Sequence, residues 1–388
     1  MLKNQKDKFD LPNDVSYLNC ANIAPLMNKL SILGKEAIDL RQRPYKISRD
    51  DWFKPPEILK RNFAKLINCD DFQRIALIPS VSYGIASVAN NIKLSKKDEI
   101  LIVHEQYPSN YYSWQNITKK FGAEIKIIMP PNEPENRGKL WNEKILNSIS
   151  DKTRVVALGN VHWADGTLFQ LEKISKKAKQ HNALLIIDGS QSIGALPFDI
   201  QNIKPDAVFC VGYKWLLGPF SLGLSYFGEY FDNGNPLEEN WINRKDSNDF
   251  QGLVDYTPHY RPLAGRYNVG ENSNFHLVPI LNGAIEQLNE WKVENVQAYC
   301  KNLIAKPIDE LKNIGCIIED GDFRANHLFG IRFGYSMDLE KLQSQFVNNK
   351  IFASLRGNAV RVSVNVYNNE NDMNKLVSCI KNTLKASA

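Results

Sequence analysis

Short apolar runs alternate with amphipathic stretches along the chain between about residues 75 and 227. The apolar runs have the length of strands, and several are apolar almost throughout, which is typical of strands covered on both faces. We predict strands at 75–79, 99–103, 124–129, 154–159, 183–188, 207–211 and 222–227. The amphipathic stretches predict intervening helices at 82–92, 109–121 and 171–180. Because strand and helix alternate, we expect an α/β domain built on a mostly parallel sheet.

The pattern changes after residue 227. Residues 228–275 are rich in Asn, Gly, Pro and aromatic side chains with weak periodicity, and we interpret them as loops that cross the active-site face or a subunit interface. Further on, the periodicity predicts a smaller α+β domain, with helices at 278–291, 294–314, 338–349 and 370–384 and strands near 327–333 and 359–366. The predicted organisation is an N-terminal segment packing at the active site, a large α/β domain and a small C-terminal domain, at 1–25, 26–279 and 280–388.

The amino-acid composition of the chain limits the kinds of molecule and the cellular setting that we expect for this protein. The 388 residues include 48 Lys and Arg against 43 Asp and Glu, and the resulting charge of +5 is spread along the chain. This balance favours neither nucleic acid nor an anionic membrane as a partner. No apolar run approaches the length of a membrane span, and residues 1–10 lack the apolar core of a signal peptide. The six cysteines show no metal-ligand spacing, so we expect reduced thiols in a cytoplasmic protein.

An acid and a lysine follow two neighbouring apolar runs: Asp188 follows 183–187, and Lys214 follows 207–211 with an aromatic residue on each side. Ligands of open α/β sheets bind at strand carboxyl ends, and apolar surroundings favour the neutral, nucleophilic form of a lysine. Pyridoxal phosphate (PLP) requires a lysine that forms an imine with its aldehyde and an acid that keeps its pyridine nitrogen protonated. Taken singly, Lys214 also fits a surface lysine and Asp188 a helix cap. The pair favours the cofactor.

Four weaker features fit the same cofactor. Residues 80–84 form a predicted strand-to-helix junction, where backbone amides and the Ser82 hydroxyl would hold a phosphate, although Ser82 fits a plain N-cap equally well. Tyr107, kept out of a helix by the proline after it, could stack on a flat ring or pack in the core. Arg361 could grip a carboxylate, or it is a solvated charge at a strand edge. Residues 268–275 could supply phosphate donors or only cap the next helix.

In this order, these residues resemble the class V branch of fold-type I PLP enzymes, which includes class V aminotransferases, kynureninase, cysteine desulfurases and isopenicillin N epimerase-like proteins. The most specific motifs are 188-DGSQSIGA-195 and 212-GYKWLLGP-219. The looser ones are 80-SVSYG-84, 107-YPSN-110, 162-HWADG-166, 268-NVGENSNF-275 and 361-RVS-363. The resemblance covers nearly the whole chain. It implies the fold-type I architecture, PLP as cofactor, a small amino-acid-like substrate and a homodimer with shared active sites.

The resemblance also implies roles around the ring of the cofactor. Lys214 would form the Schiff base and then move a proton at the substrate α-carbon, and Asp188 would pair with the pyridine nitrogen. Gln191 and the 163–166 turn would lie near the 3-hydroxyl edge of the ring. Tyr107 would stack on its face.

Further residues would hold the phosphate and the substrate. The implied phosphate ligands are Val81, Ser82, Tyr213 and, reaching the other subunit of a dimer, Asn272 and Ser273. Asn110 would lie close to the ring, and Arg361 would clamp the substrate α-carboxylate. Specificity would reside in the 228–275 loops, the N-terminal stretch 17–25 and the partner chain.

The leading hypothesis is a PLP-dependent aminotransferase, with a lyase, a kynureninase-like hydrolase or an epimerase as alternatives, because the same imine serves all of these reactions. Cysteine desulfurases place a histidine over the ring and a reactive cysteine on a mobile loop. In this sequence Tyr107 takes the position of the histidine over the ring, and residues 351–360 contain no cysteine. Gln191 also takes a position at which several relatives have a histidine. Desulfurase activity is therefore less favoured, and a non-catalytic PLP-binding protein is less favoured because both Lys214 and Asp188 are present. The glycines at 188–195 follow an acid, which disfavours a dinucleotide-binding enzyme.

Overall fold

The computed structural model describes residues 2–133, 135–334, 337–357 and 359–385. In chain order, the strands are β1 (Ser16–Tyr17), β2 (Ile75–Ile78), β3 (Glu99–Val103), β4 (Glu124–Ile128), β5 (Thr153–Gly159), β6 (Leu184–Asp188), β7 (Ala207–Val211), β8 (Gly223–Phe227), β9 (Cys316–Ile317), β10 (Leu328–Phe333), β11 (Ile351–Phe352), β12 (Ser354–Arg356) and β13 (Ala359–Ser363). The helices are α1 (Asn28–Arg41), α2 (Asp50–Leu66), α3 (Val81–Ala89), α4 (Tyr112–Phe121), α5 (Arg137–Ser148), α6 (Leu171–Gln180), α7 (Ile200–Ile203), α8 (Leu277–Trp291), α9 (Val293–Asn313), α10 (Leu339–Asn348) and α11 (Glu370–Lys385).

The large sheet has the strand order β2-β8-β7-β6-β5-β3-β4. Its strands β3 to β7 pair in parallel, whereas β8 is antiparallel to both β7 and β2. A parallel crossover needs a dozen or more residues, usually with a helix. Only residues 212–222 join β7 to β8, so the chain turns back beside β7 instead. The predicted α/β architecture with a mostly parallel sheet is confirmed.

Apolar side chains cover both faces of this sheet. In β6, Leu185 and Ile187 belong to one buried cluster, together with residues of α2 and α8, whereas Leu184 and Ile186 belong to another with residues of α3 and α4. Alternate residues of a strand point to opposite faces, so a strand covered on both sides must be apolar throughout. This requirement explains the uninterrupted apolar run that ends at Asp188.

The smaller sheet is antiparallel, in the order β12-β13-β10-β9, and packs with residues of α9, α10 and α11 in a third cluster. The N-terminal segment contacts it through the bridge from Asn19 to Ser363 of β13, while β1 pairs with β11 in a separate two-stranded sheet. The boundaries at 25/26 and 279/280 stay predictions. Some residues of the predicted segments lie outside the described residues: 1, 134, 335–336, 358 and 386–388.

The pattern of apolar residues did not predict α1, α2 or α5. In α2 the reason is visible, because Pro55 and Pro56 lie inside the helix and proline normally breaks a helix interior. Leu59 and Phe63 of α2 are fully buried in the cluster that also contains α8, so packing stabilises the helix despite its prolines. Within the described part of the chain, no helix is both long enough and apolar enough to cross a membrane.

Candidate active site

A cavity opens where β5, β6 and β7 end, beside the first turn of α3. The last residue of each strand, Gly159, Asp188 and Val211, lines it. This is the edge of an open α/β sheet at which ligands bind. The other lining residues are Pro79, Ser80, Val81, Ser82, Gln106, Tyr107, Ser109, Val161, His162, Trp163, Phe169, Ser190, Gln191, Tyr213, Lys214, Phe220, Ser221 and Leu222.

Lys214 lies in the turn between β7 and β8, and only 7% of the residue is exposed. Its Nζ atom lies 5.3 Å from the centre of the Tyr107 ring and 5.7 Å from that of Tyr213. Burial lowers the pKa of Lys214 to about 8; the negative charge of Asp188 opposes this shift, and nearby arginines add to it. A lysine with such a pKa is partly neutral near physiological pH and can act as a nucleophile.

Asp188 ends β6 and lines the same cavity as Lys214. Its Oδ1 atom accepts a hydrogen bond of 3.0 Å from the amide of Ser190. Burial raises the pKa of Asp188, while the bonds from Ser190 and the charge of Lys214 act in the opposite direction. A buried carboxyl group whose pKa is raised by desolvation gains from a cationic partner, and a protonated pyridine nitrogen is such a partner.

The first turn of α3 closes another side of the cavity. Ser80 is its N-cap: the Ser80 Oγ atom accepts a hydrogen bond of 3.2 Å from the amide of Tyr83. Ser82 therefore does not cap the helix, and its hydroxyl lies 2.8 Å from that of Ser80. Val81 and Ser82 place the positive end of the helix dipole at the cavity, where a phosphate would be stabilised.

Close packing fixes the position of this helix. A Cβ atom on Gly84 would lie only 2.3 Å from the ring of Phe209 on β7. Glycine thus lets α3 approach the sheet closely, and that approach brings the first turn of α3 to the same cavity as Lys214.

Tyr107 and Asn110 belong to the loop before α4. Tyr107 lines the cavity, and its ring makes an edge contact with Trp163 at 5.5 Å. Asn110 is buried but is not among the lining residues, and its Oδ1 accepts a hydrogen bond of 2.9 Å from Trp114. The structure therefore brings Tyr107 to Lys214 and places Asn110 behind the cavity wall.

Gln191 connects the cavity to the N-terminal segment. Its Nε2 donates to the carbonyl oxygen of Ala21 at 3.0 Å, and its Oε1 accepts from the indole of Trp215 at 2.8 Å. One N–H of the amide stays available for a ligand. The N-terminal segment makes a further contact, because the amide of Ala24 donates to the carbonyl of Tyr213, next to Lys214.

Within the turn at 162–166, Trp163 lines the cavity and Asp165 does not. Asp165 is buried among basic groups: Arg332 at 2.6 Å, His162 at 3.1 Å and Arg137 at 3.6 Å. The sequence left open which residue of 163–166 meets the cofactor, and of these four Trp163 is the one that lines the cavity.

Arg361, on β13, is 2% exposed, and burial lowers its pKa to about 10. Its NH1 donates to the carbonyl of Trp163 at 3.0 Å and its NH2 to Oδ1 of Asn19 at 3.4 Å. The alternative of a solvated strand-edge charge is therefore wrong. The small sheet and the N-terminal segment together hold this arginine against the cavity wall.

Asn272 and Ser273 lie apart from this cavity. Asn272 lines a separate cavity with Trp52 and Lys60, and the Ser273 hydroxyl donates to the carbonyl of Trp52. Contact between these residues and a phosphate in a second subunit stays a prediction, since it requires the partner chain.

Several lining residues were not singled out from the sequence, notably Trp163 within its motif, Phe220 and Ser221. Phe220 packs on Tyr213 with ring centres 4.5 Å apart, so the turn after Lys214 folds back over the cavity. For Phe220 and Ser221 the signal available was their position in the short β7–β8 connection, and for Trp163 it was the motif at 162–166. The combined set of amine, buried acid and helix start fits PLP.

Comparisons with known proteins agree with this set. The family described as Aminotransferase class-V matches residues 55–376. The chain is 23% identical over 341 residues to an uncharacterized aminotransferase of Schizosaccharomyces pombe, covering 85% of this chain and 82% of that protein. It is 24% identical over 320 residues to the uncharacterized aminotransferase YcbU of Bacillus subtilis, covering 82% and 80%. The solved cysteine desulfurase CsdA of Escherichia coli has the same fold, with a TM-score of 0.80 at 18% identity over 98% of both chains. The family match spans most of the chain, and this protein belongs to the class V aminotransferase family of PLP-dependent enzymes.

Proposed function

We propose that this enzyme is an aminotransferase that acts on an α-amino acid through a Schiff base at Lys214. The observation that carries the proposal is the shared cavity of Lys214 and Asp188, in which burial lowers the pKa of the amine and raises that of the acid. When bound, PLP supplies an aldehyde that takes up the substrate amine and a ring that withdraws electrons from the bonds of the α-carbon.

The chain's own residues would divide the remaining work. Lys214, partly neutral near pH 8, would take a proton from the substrate α-carbon and return it at another position. Asp188 would hold a proton on the ring nitrogen by its negative charge. Val81 and Ser82 would bind the phosphate, with Tyr213 assisting, and Tyr107 would cover one face of the ring. Arg361 would take the substrate α-carboxylate.

Desulfuration requires a thiol that reaches the substrate. Cys20 has an electrostatic influence on Lys214, but it is fully buried, and burial raises its pKa to about 11. The cysteines at 210, 300, 316 and 379 are also buried. A neutral, enclosed thiol is a poor nucleophile, so these positions do not support a desulfurase.

The Schiff base can be tested by reducing the PLP-loaded protein with borohydride and mapping the labelled peptide. We expect one label, on Lys214, and none in Lys214→Ala. Lys60 is a matched control because burial also lowers its pKa, to about 7. Lys60→Ala should keep the label on Lys214. A label on Lys60, or none at all, would contradict the proposal.

The reaction type needs a second measurement. In a single turnover without an acceptor, a transaminase releases about one equivalent of 2-oxo acid per active site and then stops. Elimination would keep releasing 2-oxo acid and ammonia past one equivalent, whereas kynureninase-like hydrolysis and epimerisation would release an amino acid and no oxo acid. Continued release of ammonia would therefore replace the proposal with its lyase alternative.

We also propose a homodimer in which Asn272 and Ser273 reach the partner's phosphate site. Mixing Lys214→Ala chains with Asn272→Ala chains tests this, because one site of each mixed dimer would then hold both an intact lysine and an intact asparagine. We expect the mixture to recover activity that neither variant shows alone. If the refolded mixtures sediment as dimers but recover no activity, Asn272 does not reach the partner's active site. It then belongs to the active site of its own subunit or to no active site.

A further inference from the structure

Two arginines share one face of the β12–β13 hairpin. Ser354 pairs with Arg361 across the hairpin, and Arg356 pairs with Ala359. Because side chains alternate between faces along a strand, Arg356 and Ser354 point to the same side as Arg361. Arg356 is thus a diagonal neighbour of Arg361, at a Cα separation of about 7–8 Å.

Both guanidinium groups contact Trp163, which lines the active-site cavity. Arg361 donates to the carbonyl oxygen of Trp163 at 3.0 Å, and the Cζ atom of Arg356 lies 5.6 Å from the centre of its ring. The two positive charges also act on Lys214, since both lower the pKa of its amine in addition to the effect of burial. Arg356 is therefore part of the surroundings of the reactive amine.

These charges have no anionic partner among the described residues, because none of the salt bridges there involves Arg356 or Arg361. The acceptors of their hydrogen bonds are neutral: the carbonyls of Trp163 and Leu355 and the side-chain oxygen of Asn19. The Nε atom of each arginine is buried and makes no hydrogen bond.

Two neighbouring cations with unsatisfied donors are costly unless an anion binds to each. We propose that the pair selects an α-amino acid with a second carboxylate on a short side chain, Arg361 binding the α-carboxylate and Arg356 the side-chain carboxylate. The assignment of Arg361 rests on the function proposed above. Arg356 is then the residue that determines specificity, through a charge-assisted hydrogen bond that a neutral side chain does not form.

Absorbance titrations of the PLP-loaded protein with aspartate and glutamate, against asparagine and glutamine, test this. A charge-assisted bond supports a preference for the acids of about tenfold in half-saturating concentration. In Arg356→Gln, that preference should fall to about twofold or less. Arg41→Gln, a control on an exposed face of α1, should keep the full preference. Equal saturation by acids and amides in the unaltered protein would overturn the proposal, as would an equal loss for both in Arg356→Gln.

A second readout does not need cofactor chemistry. Glutarate and butyrate lack an amine, so calorimetric titration of the protein with each reports carboxylate binding alone. We expect glutarate to bind more tightly, by about tenfold, and Arg356→Gln to abolish the difference. Butyrate binding as tightly as glutarate would overturn the paired-arginine site. If borohydride labels no Lys214, the proposed function is wrong. The comparison of glutarate with butyrate still tests whether Arg356 and Arg361 bind two carboxylates.

Discussion

Arg332 donates a 2.6 Å hydrogen bond to the buried carboxylate of Asp165. Arg332 belongs to β10 of the small sheet, and Asp165 belongs to the turn that presents Trp163 to the cavity. The contact is reinforced next to it, where the amide of Gly330 donates to the carbonyl of Asp165. The small sheet therefore supports the active-site wall through one buried acid.

Asp165→Asn should destabilise the protein by about 3–5 kcal/mol, because it removes a buried charge from the contacts with buried His162 and with the partly buried Arg137 and Arg332. Burial alone would raise the pKa of Asp165, but His162 and Arg332 hold it well below its usual value of 3.8. The stability contributed by this group is complete above pH 4 and is lost only as the pH falls through the folded-state pKa. Urea unfolding of both proteins at pH 7 measures the deficit.

Asp151→Asn is the matched control for Asp165→Asn. Asp151 also pairs with a histidine, His181, at 2.7 Å, but its side chain is 96% exposed. Solvent screens such a pair, so we expect little change in stability. Equal effects of the two substitutions would show that the buried network does not hold the turn.

The amine of Lys214 should react with a pH midpoint near 8 in the cofactor-free protein. Burial lowers its pKa to about 8, and only the neutral amine attacks an electrophile. The rate of trinitrophenylation at Lys214, followed by peptide mapping, should rise up to that pH and then level off. Asp188 opposes the shift, so Asp188→Asn should move the midpoint to lower pH. A midpoint near 10.5 would mean that the amine is solvated.

The same burial makes Lys214 a cost to folding. Its folded-state pKa of about 8 lies below its ordinary value of 10.5, so the unfolded chain binds more protons between these values and stability rises with pH there. Lys214→Met should therefore stabilise the cofactor-free protein by about 3 kcal/mol below pH 8. The gain should shrink between pH 8 and 10.5 and disappear above.

Urea unfolding at pH 7, 9 and 10.5 measures this change. Lys54→Met is the control, since Lys54 is exposed and paired with Asp50, which raises its pKa. It should give no gain at any of the three pH values. A pH-independent gain in Lys214→Met would reflect packing of the new side chain and not the desolvated charge.

The two serines at the start of α3 should have separable effects. Ser80→Ala removes the N-cap and should cost about 1 kcal/mol of stability, whereas Ser80→Thr should retain most of the cap. Ser82→Ala should leave stability nearly unchanged and weaken PLP binding about tenfold, because it removes a phosphate donor. Fluorescence titration with PLP measures the second effect. Unchanged affinity in Ser82→Ala would contradict its role.

Much of the fold, and the meeting of Asp188 and Lys214 in one cavity, could be predicted from local sequence. Strands buried on both faces must be apolar throughout, so the runs that precede Asp188 and Lys214 were recognisable, and strands β3 and β7 have the predicted bounds. Because Asp188 ends β6 and Lys214 follows β7 closely along the chain, chain order alone placed both residues at the same edge of the sheet. Helix α2 was missed because its prolines oppose helix formation locally, and its stability comes from packing against α8.

What the sequence alone determined are the two buried strands after which Asp188 and Lys214 reach one edge of the sheet, because burial of a strand imposes a continuous local pattern. Only the tertiary structure decided that Trp163, not Asp165, faces the cavity, and that Arg356 joins Arg361 beside it. Those choices depend on the register of the β12–β13 hairpin and on contacts between residues nearly 200 positions apart, such as Arg361 with Trp163. No local period records such contacts, since they form only when the small sheet packs against the large one.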